Sequence, residues 1–264
     1  MTDALIGFTG YVGSTLVRQR QFEARFNSAN IAQVEGRSFD IVVCAGAAAQ
    51  KWVANRDPES DREKIATLIR HLETIKCKTF VLVSTVDVFA NPFGVDETAP
   101  VDNAELHPYG RHRRMLERFV EERFPDRLVV RLPGLVGPGL RKNVIYDFHH
   151  RNNLGAIDAR SVFQFYPMVN LWHDLAIGIQ ARLRLLHLTA EPIGVAQVAR
   201  EGFGVEFDQE LPGQAATYDM RTIHAEKFGS TGAYQYTRRE SLMAIRAYAQ
   251  SEPGAERAIG VGPA

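Results

Sequence analysis

The stretch "ALIGFTGYVGS", residues 4–14, decides the fold prediction. It runs from a short apolar segment through three glycines spaced GxxGxxG into a helical pattern at 12–20. A turn between the first strand of a βαβ unit and its helix brings backbone N–H groups against a pyrophosphate, and only glycine permits so close an approach. The predicted cofactor contacts in this turn are Gly7, Gly10, Tyr11, Val12 and Gly13. The alternative is a tight packing turn that holds no ligand.

Apolar runs farther along the chain predict the rest of the sheet. Runs that are apolar on both faces are typical of buried parallel strands, and helical patterns lie between them. The strands are predicted at 4–8, 39–47, 79–89 and 127–137, and the helices at 12–20, 59–76 and 109–124. This alternation predicts an α/β fold with a Rossmann-like doubly wound parallel sheet. Only residues 22–31 can supply a second strand, so we expect a trimmed nucleotide-binding half.

The pattern loosens beyond about residue 138, which predicts a division of the chain. Residues 1–138 are expected to form the dinucleotide-binding core, with parts of 160–190 completing the sheet. Residues 139–252 mix aromatic and polar side chains and are expected to form a smaller substrate-binding portion that caps the sheet. Residues 253–264 have no core-forming pattern and are expected to be a flexible tail.

The composition excludes several classes of protein. The 264 residues include 31 Lys+Arg and 31 Asp+Glu, so no global basic field favours nucleic acid or an anionic membrane. No apolar run approaches the ~20 residues of a membrane span, and the N-terminus lacks a signal-peptide pattern. The two cysteines, Cys44 and Cys77, fit a reducing cytoplasm. His149 and His150 are adjacent, which is not a ligand spacing on a helix, so no metal is expected.

The segment after the predicted second strand bears on the choice of cofactor. A dinucleotide-binding unit normally places an acidic residue there to bind the ribose, and this chain has "NSAN" at 27–30 instead. Asn27, Ser28 and Asn30 are candidates for binding a ribose hydroxyl or a 2′-phosphate. The sequence therefore predicts NAD or NADP without choosing between them.

Five segments together resemble the extended short-chain dehydrogenase/reductase family, whose main members are sugar-nucleotide epimerases and dehydratases. They are "GFTGYVG" (7–13), "STVDVF" (84–89), "VDETAP" (95–100), "YGRHR" (109–113) and "VRLPGLVGPG" (130–139). The resemblance covers about residues 4–190 in order and spacing. It implies an NAD(P)-dependent enzyme that acts on a nucleotide-linked sugar by hydride transfer, as an epimerase, dehydratase or reductase.

The resemblance also implies the catalytic residues. Thr85 matches the active-site Ser/Thr, Tyr109 matches the acid/base Tyr, and Arg113 stands where the family has Lys. Arg113 lies one helical turn after Tyr109, so its fixed charge should favour the phenolate and lower the pKa of Tyr109. We expect Arg113 to face inward near the nicotinamide ribose. The alternative is that Arg113 extends to solvent and the site is altered or inactive.

Two charged residues, one acidic and one basic, each have two possible roles. Asp87 lies two residues past Thr85 and matches an acidic residue that takes a sugar proton in dehydratases of the family; a carboxylate that caps a loop is the alternative. Lys64 replaces an Asn of the family. It is either a solvated helix lysine or a partial substitute for the missing active-site Lys.

The family's order of segments implies further contacts around the cofactor and substrate. The stretch that passes under the cofactor corresponds to Cys44, Ala45 and Gly46. The substrate-binding candidates are Lys51, Arg141, Lys142, Asn143 and Tyr146. Basic groups among them suit a diphosphate.

Two other functions stay open at the level of sequence. A non-catalytic dinucleotide-binding sensor or scaffold of the same fold is favoured by the departures at Lys64 and Arg113. A reductase of a small non-sugar carbonyl fits the modest C-terminal portion. In each case the expected partner is a small molecule, in a cytoplasmic protein for which a homodimer is one option.

Overall fold

The computed structural model describes residues 2–254. Its strands are β1 Ala4–Ile6, β2 Ala24–Phe26, β3 Ser38–Cys44, β4 Lys76–Thr85, β5 Phe93–Val95, β6 Arg127–Leu132, β7 Gly134–Val136, β8 Val162–Phe163, β9 Phe165–Pro167, β10 Leu185–His187, β11 Ile193–Gly194 and β12 Asp219–Met220. Its α-helices are α1 Tyr11–Gln19, α2 Lys51–Arg56, α3 Pro58–Leu72, α4 Pro108–Arg123, α5 Val144–His150, α6 Leu171–Gln180, α7 Val195–Val198 and α8 Arg238–Ser251. Short 3₁₀-helices add Ile31–Val34, Val86–Val88, Leu154–Ala156, Met168–Asn170 and Ala225–Phe228, and Ala199–Phe203 is a π-helix.

The main sheet confirms the predicted α/β class. Within residues 2–254 it has six strands in the order β2–β1–β3–β4–β6–β10, and every neighbouring pair is parallel. Helices α3 and α4 pack on one face, around Ile65 and Leu116, while α1 and α6 pack on the other, around Leu16 and Leu175. Both faces are therefore covered, which explains why the strands are apolar throughout. This is the Rossmann-like doubly wound arrangement.

The expected trimming of the nucleotide-binding half is confirmed. The chain goes from β2 to β3 through only the 3₁₀-helix Ile31–Val34, and β3 then pairs with β1 on the side away from β2. Strand β2 is consequently an edge strand. A short connection of this kind has no room for the helix and further strand that a full half would require.

Several predicted boundaries are wrong for local reasons. The strand predicted at 79–89 ends at Thr85, because Val86–Val88 turns as a 3₁₀-helix. The strand predicted at 127–137 is split at Pro133, whose nitrogen has no hydrogen to donate to a sheet. Its second part, β7, pairs with β9 outside the main sheet. Helix α2 was not predicted at all.

The C-terminal part of the described chain packs around a core of its own. This core includes Val136, Phe148, Phe165 and Ile245, which come from β7, α5, β9 and α8. The same part of the chain supplies β10, which pairs with β6 at the end of the main sheet. The proposed division at residue 138 stays a prediction. Most of the predicted flexible tail, residues 255–264, lies outside the described residues.

Candidate active site

The glycine turn joins β1 to α1 at the carboxyl end of the sheet. Gly7 has a φ of +86°, and a Cβ there would lie 2.4 Å from the carbonyl oxygen of Ala45. A Cβ at Gly13 would lie 2.1 Å from the carbonyl oxygen of Gly7. These two glycines are thus required by the close packing of the turn itself.

Gly10 differs from the other two glycines of the turn. It is exposed, it precedes the first residue of α1, and a Cβ there would come no closer than 3.4 Å to the carbonyl oxygen of Gly7. No side chain of residues 2–254 caps the N-terminus of α1. Packing therefore does not explain Gly10, whereas the approach of a phosphate to free N–H groups does. The residues present fit a dinucleotide at this turn.

The residues predicted to bind the ribose form a tight turn after β2. Both polar atoms of the Asn30 side chain bond to the backbone of this turn: Oδ1 accepts from the Asn27 N–H at 2.7 Å, and Nδ2 donates to the Arg25 carbonyl at 3.1 Å. Asn27 Oδ1 accepts from the Ala29 N–H at 2.9 Å. Ser28 is exposed. Ser28 is thus the exposed candidate, and its hydroxyl makes no hydrogen bond within the described residues.

The segment after β3 runs beside the glycine turn, as the resemblance implies. Cys44 is fully buried, and burial raises the pKa of its thiol to about 11, so it is inert packing. The Ala45 N–H donates to the Ile6 carbonyl at 2.9 Å. At Gly46 a Cβ would meet the Ile6 side chain at 3.1 Å. Small residues here keep the two strand ends close together.

Thr85, Asp87 and Tyr109 are brought together by the contact of α4 with the turn after β4. A Cβ at Gly110 would lie 2.1 Å from the carbonyl oxygen of Asp87, so only glycine allows α4 to start against this turn. Thr85 Oγ1 donates to Asp87 Oδ2 at 3.3 Å and accepts from the Asp87 N–H at 3.2 Å. Asn55, from α2, accepts from the Tyr109 N–H at 3.0 Å.

Arg113 acts on the Tyr109 pKa in the expected direction, but the net shift of that pKa is upward. Tyr109 is only 6% exposed, and burial raises the pKa of its phenol above the ordinary value. The charge of Arg113 and a hydrogen bond from Thr85 act to lower it, while Asp87 raises it further. Burial outweighs the guanidinium, because removing the phenolate from water costs more free energy than its attraction to Arg113 contributes.

Arg113 faces inward and does not extend to solvent. It is 3% exposed, and its Cζ lies 4.3 Å from the centre of the Tyr109 ring. Its Nη1 and Nη2 contact Asp61 Oδ2 and Oδ1 at 3.0 and 3.1 Å. Nη2 also donates to the carbonyl oxygen of Ala48. The side chain is therefore held by a carboxylate that the sequence analysis did not single out.

Lys64 is an exposed residue of α3. This supports the solvated alternative for Lys64. The residue of α3 that reaches the site is Asp61, one turn earlier, whose carboxylate also accepts from His112 Nδ1 at 2.7 Å. Burial opposes ionisation of Asp61, but its hydrogen bonds to Arg113 and His112 hold the pKa below the ordinary value.

A second polar group surrounds the Asp87 carboxylate. Lys51 Nζ lies 2.7 Å from Asp87 Oδ1, and the Tyr218 hydroxyl lies 3.3 Å from the same oxygen. Burial alone would lower the pKa of Lys51, but Asp87 and Tyr218 raise it above its ordinary value. Burial and the charge of Lys51 lower the pKa of His107. Sequence reasoning missed Tyr218, which comes from the C-terminal part of the chain.

The four substrate-binding candidates in and before α5 differ in their contacts and exposure. Lys142 is an exposed residue whose Nζ donates to the Ala49 carbonyl, and partial desolvation with the nearby charges of Arg113 and Lys51 lowers the pKa of its ammonium group. Asn143 caps α5, because its Oδ1 accepts from the Ile145 N–H at 3.0 Å and its Nδ2 donates to the Leu135 carbonyl at 2.9 Å. Its amide is thereby committed to the fold. Arg141 is exposed, and the Tyr146 ring packs against His150 at 4.1 Å.

Two searches of residues 2–254 bear on other functions. No group of three or more His, Cys, Asp or Glu side chains in that range is placed to hold a metal ion. None of the helices described has both the length and the apolar character needed to cross a membrane.

Comparison with known proteins finds similarity in structure alone. No family model matches the chain, and no curated protein matches its sequence. A UDP-N-acetylglucosamine 4-epimerase from Methanobrevibacter ruminantium M1, solved with UDP-N-acetylmuramic acid, is 12% identical with a TM-score of 0.70, covering 94% of this chain and 96% of that one. MoeE5, solved with UDP-glucose and NAD, is 16% identical with a TM-score of 0.67, covering 94% and 98%.

A third solved structure represents another reaction. The dTDP-4-dehydrorhamnose reductase from Yersinia enterocolitica is 15% identical with a TM-score of 0.68, covering 94% of this chain and 99% of that one. At such identities the likeness shows the fold. It confirms the fold that the resemblance to extended short-chain dehydrogenases/reductases implies.

Proposed function

We propose that the protein is an NAD(P)-dependent enzyme that acts on a nucleotide-linked sugar as an epimerase, dehydratase or reductase. One observation carries the proposal: Thr85 at the end of β4 and the buried Tyr109 in the first turn of α4 lie at the same edge of the sheet as the glycine turn, because Gly110 packs directly on the turn that follows Thr85. In parallel sheets that edge is where ligands bind. A hydroxyl pair beside a dinucleotide turn suits proton transfer coupled to hydride transfer.

The cofactor would be held by the turn and by the segments next to it. The residues concerned are Gly7, Gly10, Tyr11, Val12 and Gly13, with Ser28 on the ribose side and Ala45 and Gly46 below. When bound, a nicotinamide dinucleotide would supply the group that accepts or donates a hydride. Ser28 is compatible with a ribose hydroxyl or a 2′-phosphate, so NAD and NADP both remain candidates.

The proton chemistry belongs to Tyr109. Its raised pKa keeps a proton on Oη at neutral pH, which is the form that donates to a sugar keto oxygen. In the opposite direction the base would be the phenolate, which the charge of Arg113 favours and which becomes the neutral phenol as it takes the proton of a sugar hydroxyl. The Thr85 hydroxyl, which donates to Asp87, lies near Tyr109 and would orient the substrate oxygen.

The substrate would lie against the charged groups around Asp87. Lys51 and Lys142 approach Asp87 from α2 and from the segment before α5, and Arg141 adds an exposed charge. Such groups suit a nucleotide diphosphate. Asp87 is a proposed second acid/base, and its carboxylate forms a salt bridge with Lys51. Two of the structural relatives were solved with UDP-linked sugars bound.

A non-catalytic dinucleotide-binding module is the second candidate. It is favoured by the Asp61 carboxylate, which forms an ion pair with the Arg113 guanidinium. This pairing weakens the electrostatic effect of Arg113 on the Tyr109 phenol. Binding of a dinucleotide without turnover of any sugar would support it.

Cellular location and assembly are further parts of the proposal. The two cysteines are free, with Cys44 buried, which suits a reducing cytoplasm. A homodimer is the assembly to test, by light scattering on the purified protein.

The proposed function is tested with a panel of UDP- and dTDP-linked sugars, incubated with NAD or NADPH and separated by liquid chromatography with mass detection. An epimerase yields an isomer of unchanged mass, a dehydratase yields loss of water, and a reductase yields a gain of two hydrogens. The proposal expects one of these products with the wild type. No conversion of any sugar by a folded protein that binds dinucleotide would contradict it.

A further inference from the structure

We propose that Asp61 is a positioning residue whose carboxylate holds the Arg113 guanidinium against the face of the Tyr109 ring and balances its charge there. The inference rests on the proposed function, since it assigns a task to Asp61 only if Tyr109 transfers the proton. The geometry itself stands without that assumption.

The contact between Asp61 and Arg113 is bidentate and buried. Two nitrogens of the guanidinium meet the two carboxylate oxygens at 3.0 and 3.1 Å, and the residues are 6% and 3% exposed. Paired contacts of this kind fix the plane of the guanidinium as well as its distance. The carboxylate therefore determines which way Arg113 presents its charge.

Further neighbours hold Arg113 in this position. Its Nη2 donates to the Ala48 carbonyl, its Cζ lies 4.3 Å from the Tyr109 ring centre, and its Nε is buried without a hydrogen-bond partner in the described chain. A buried guanidinium without a carboxylate would carry an uncompensated charge. Asp61 supplies the compensation, and His112 holds the carboxylate from the other side at 2.7 Å.

The balance of charge sets how strongly Tyr109 responds to Arg113. The groups that act on Tyr109 are Arg113 from α4 and Asp87 with Thr85 from the end of β4. Those that act on Arg113 and Asp61 are His112 and Lys142. Neutralising Asp61 leaves the full guanidinium charge beside the phenol, which favours phenolate. Neutralising Arg113 has the opposite effect.

The test measures the ionisation of Tyr109 directly by NMR of protein labelled with ¹³C at the tyrosine ζ carbon. The Tyr109 signal is identified by its loss in Tyr109→Phe. In Asp61→Asn we expect the phenolate-to-phenol ratio of Tyr109 at about pH 10 to rise about ten-fold or more over the wild type, equivalent to one pKa unit. In Arg113→Met we expect it to fall.

The matched control is Glu63→Gln, which removes the same charge two residues away on α3. Glu63 is exposed and contacts Arg70, so the Tyr109 titration should stay at its wild-type position. If Asp61→Asn leaves the Tyr109 titration unchanged, the inference is overturned.

A second variant decides the case if Asp61→Asn does not fold. Asp61→Glu keeps the charge but moves the carboxylate by one methylene, so the guanidinium must shift on the Tyr109 ring. A measurable change in the Tyr109 titration supports the inference, and none overturns it. The NMR titration needs no substrate, so it is independent of the turnover assay. A normal turnover in Tyr109→Phe would therefore contradict the proposed function without affecting the measured coupling of Asp61 to Tyr109.

Discussion

Gly110 and Asp87 are in direct contact across two elements that are apart in the sequence. A Cβ at Gly110 would lie 2.1 Å from the Asp87 carbonyl oxygen, so the first turn of α4 rests on the turn that follows β4. This contact sets the distance between Tyr109 on one element and Thr85 on the other.

Gly110→Ala should therefore damage both stability and the site. Overpacking of this severity costs roughly 1–3 kcal/mol of unfolding free energy, and α4 must move away from the turn. We expect a lower midpoint in urea unfolding and a loss of turnover larger than the loss of folded protein. Gly155→Ala is the control, because a Cβ there has no described atom within 4 Å. Equal stability of the two variants would contradict this packing.

Tyr109→Phe should remove proton transfer while the fold survives. The substitution deletes one hydroxyl and keeps the backbone hydrogen bond to Asn55. Turnover should fall by roughly 10²–10⁴, the range for a positioned acid/base group. Tyr236→Phe, which removes a hydroxyl bonded to Asp174 on the other face of the sheet, should retain activity. The Tyr109 assignment fails if both variants turn over substrate at the same rate.

His187 should make the fold sensitive to acid. It is fully buried; its Nδ1 donates to the Arg221 carbonyl at 2.9 Å and its Nε2 lies 3.4 Å from Arg131 Nη1. Burial lowers its pKa from 6.5 to about 4. As the pH falls, this histidine is protonated in the unfolded chain before it is protonated in the folded one. The folded state therefore loses stability between about pH 6.5 and about pH 4, by up to about 3 kcal/mol of unfolding free energy.

The measurement is the free energy of urea unfolding at about pH 7.5 and about pH 4.5. His187→Asn should lower stability at the higher pH, since Arg131 loses its acceptor, yet it should flatten the dependence on pH. His173→Gln, at an exposed position, is the control and should keep the wild-type dependence. An unchanged slope in His187→Asn would show that other groups cause the acid sensitivity.

Much of the fold was predictable because its signals are local. The apolar runs, the glycine turn and the order of helices depend on neighbouring residues, and the structure has them within a few residues of the predicted bounds. Boundaries failed where one residue overrode the pattern, as Pro133 does between β6 and β7. The family's order of motifs predicts Thr85 and Tyr109 as partners in the site, and this partnership stays a prediction.

The missing parts of the site depend on contacts between distant residues. Asp61 lies in a highly charged stretch of α3 that reads as a solvated helix, and its partner Arg113 is 52 positions away. Tyr218 reaches Asp87 across 131 positions from a segment without clear periodicity. A pattern in one sequence cannot show which charged residue of a helix turns inward. The direction of the Tyr109 pKa shift likewise depends on burial, which outweighs the adjacent charge.

The most direct test of the account is calorimetric titration of the protein with NADH and NADPH, after removal and identification of any dinucleotide that co-purifies. The wild type should bind one of them. Gly10→Val should bind at least about ten-fold more weakly, a loss of about 1.4 kcal/mol, because its side chain blocks the N-terminus of α1. Gly194→Val, at a glycine that also precedes a helix and has no described atom near its added Cβ, should bind like the wild type. A folded wild-type protein that binds neither dinucleotide and releases none on denaturation would contradict the account.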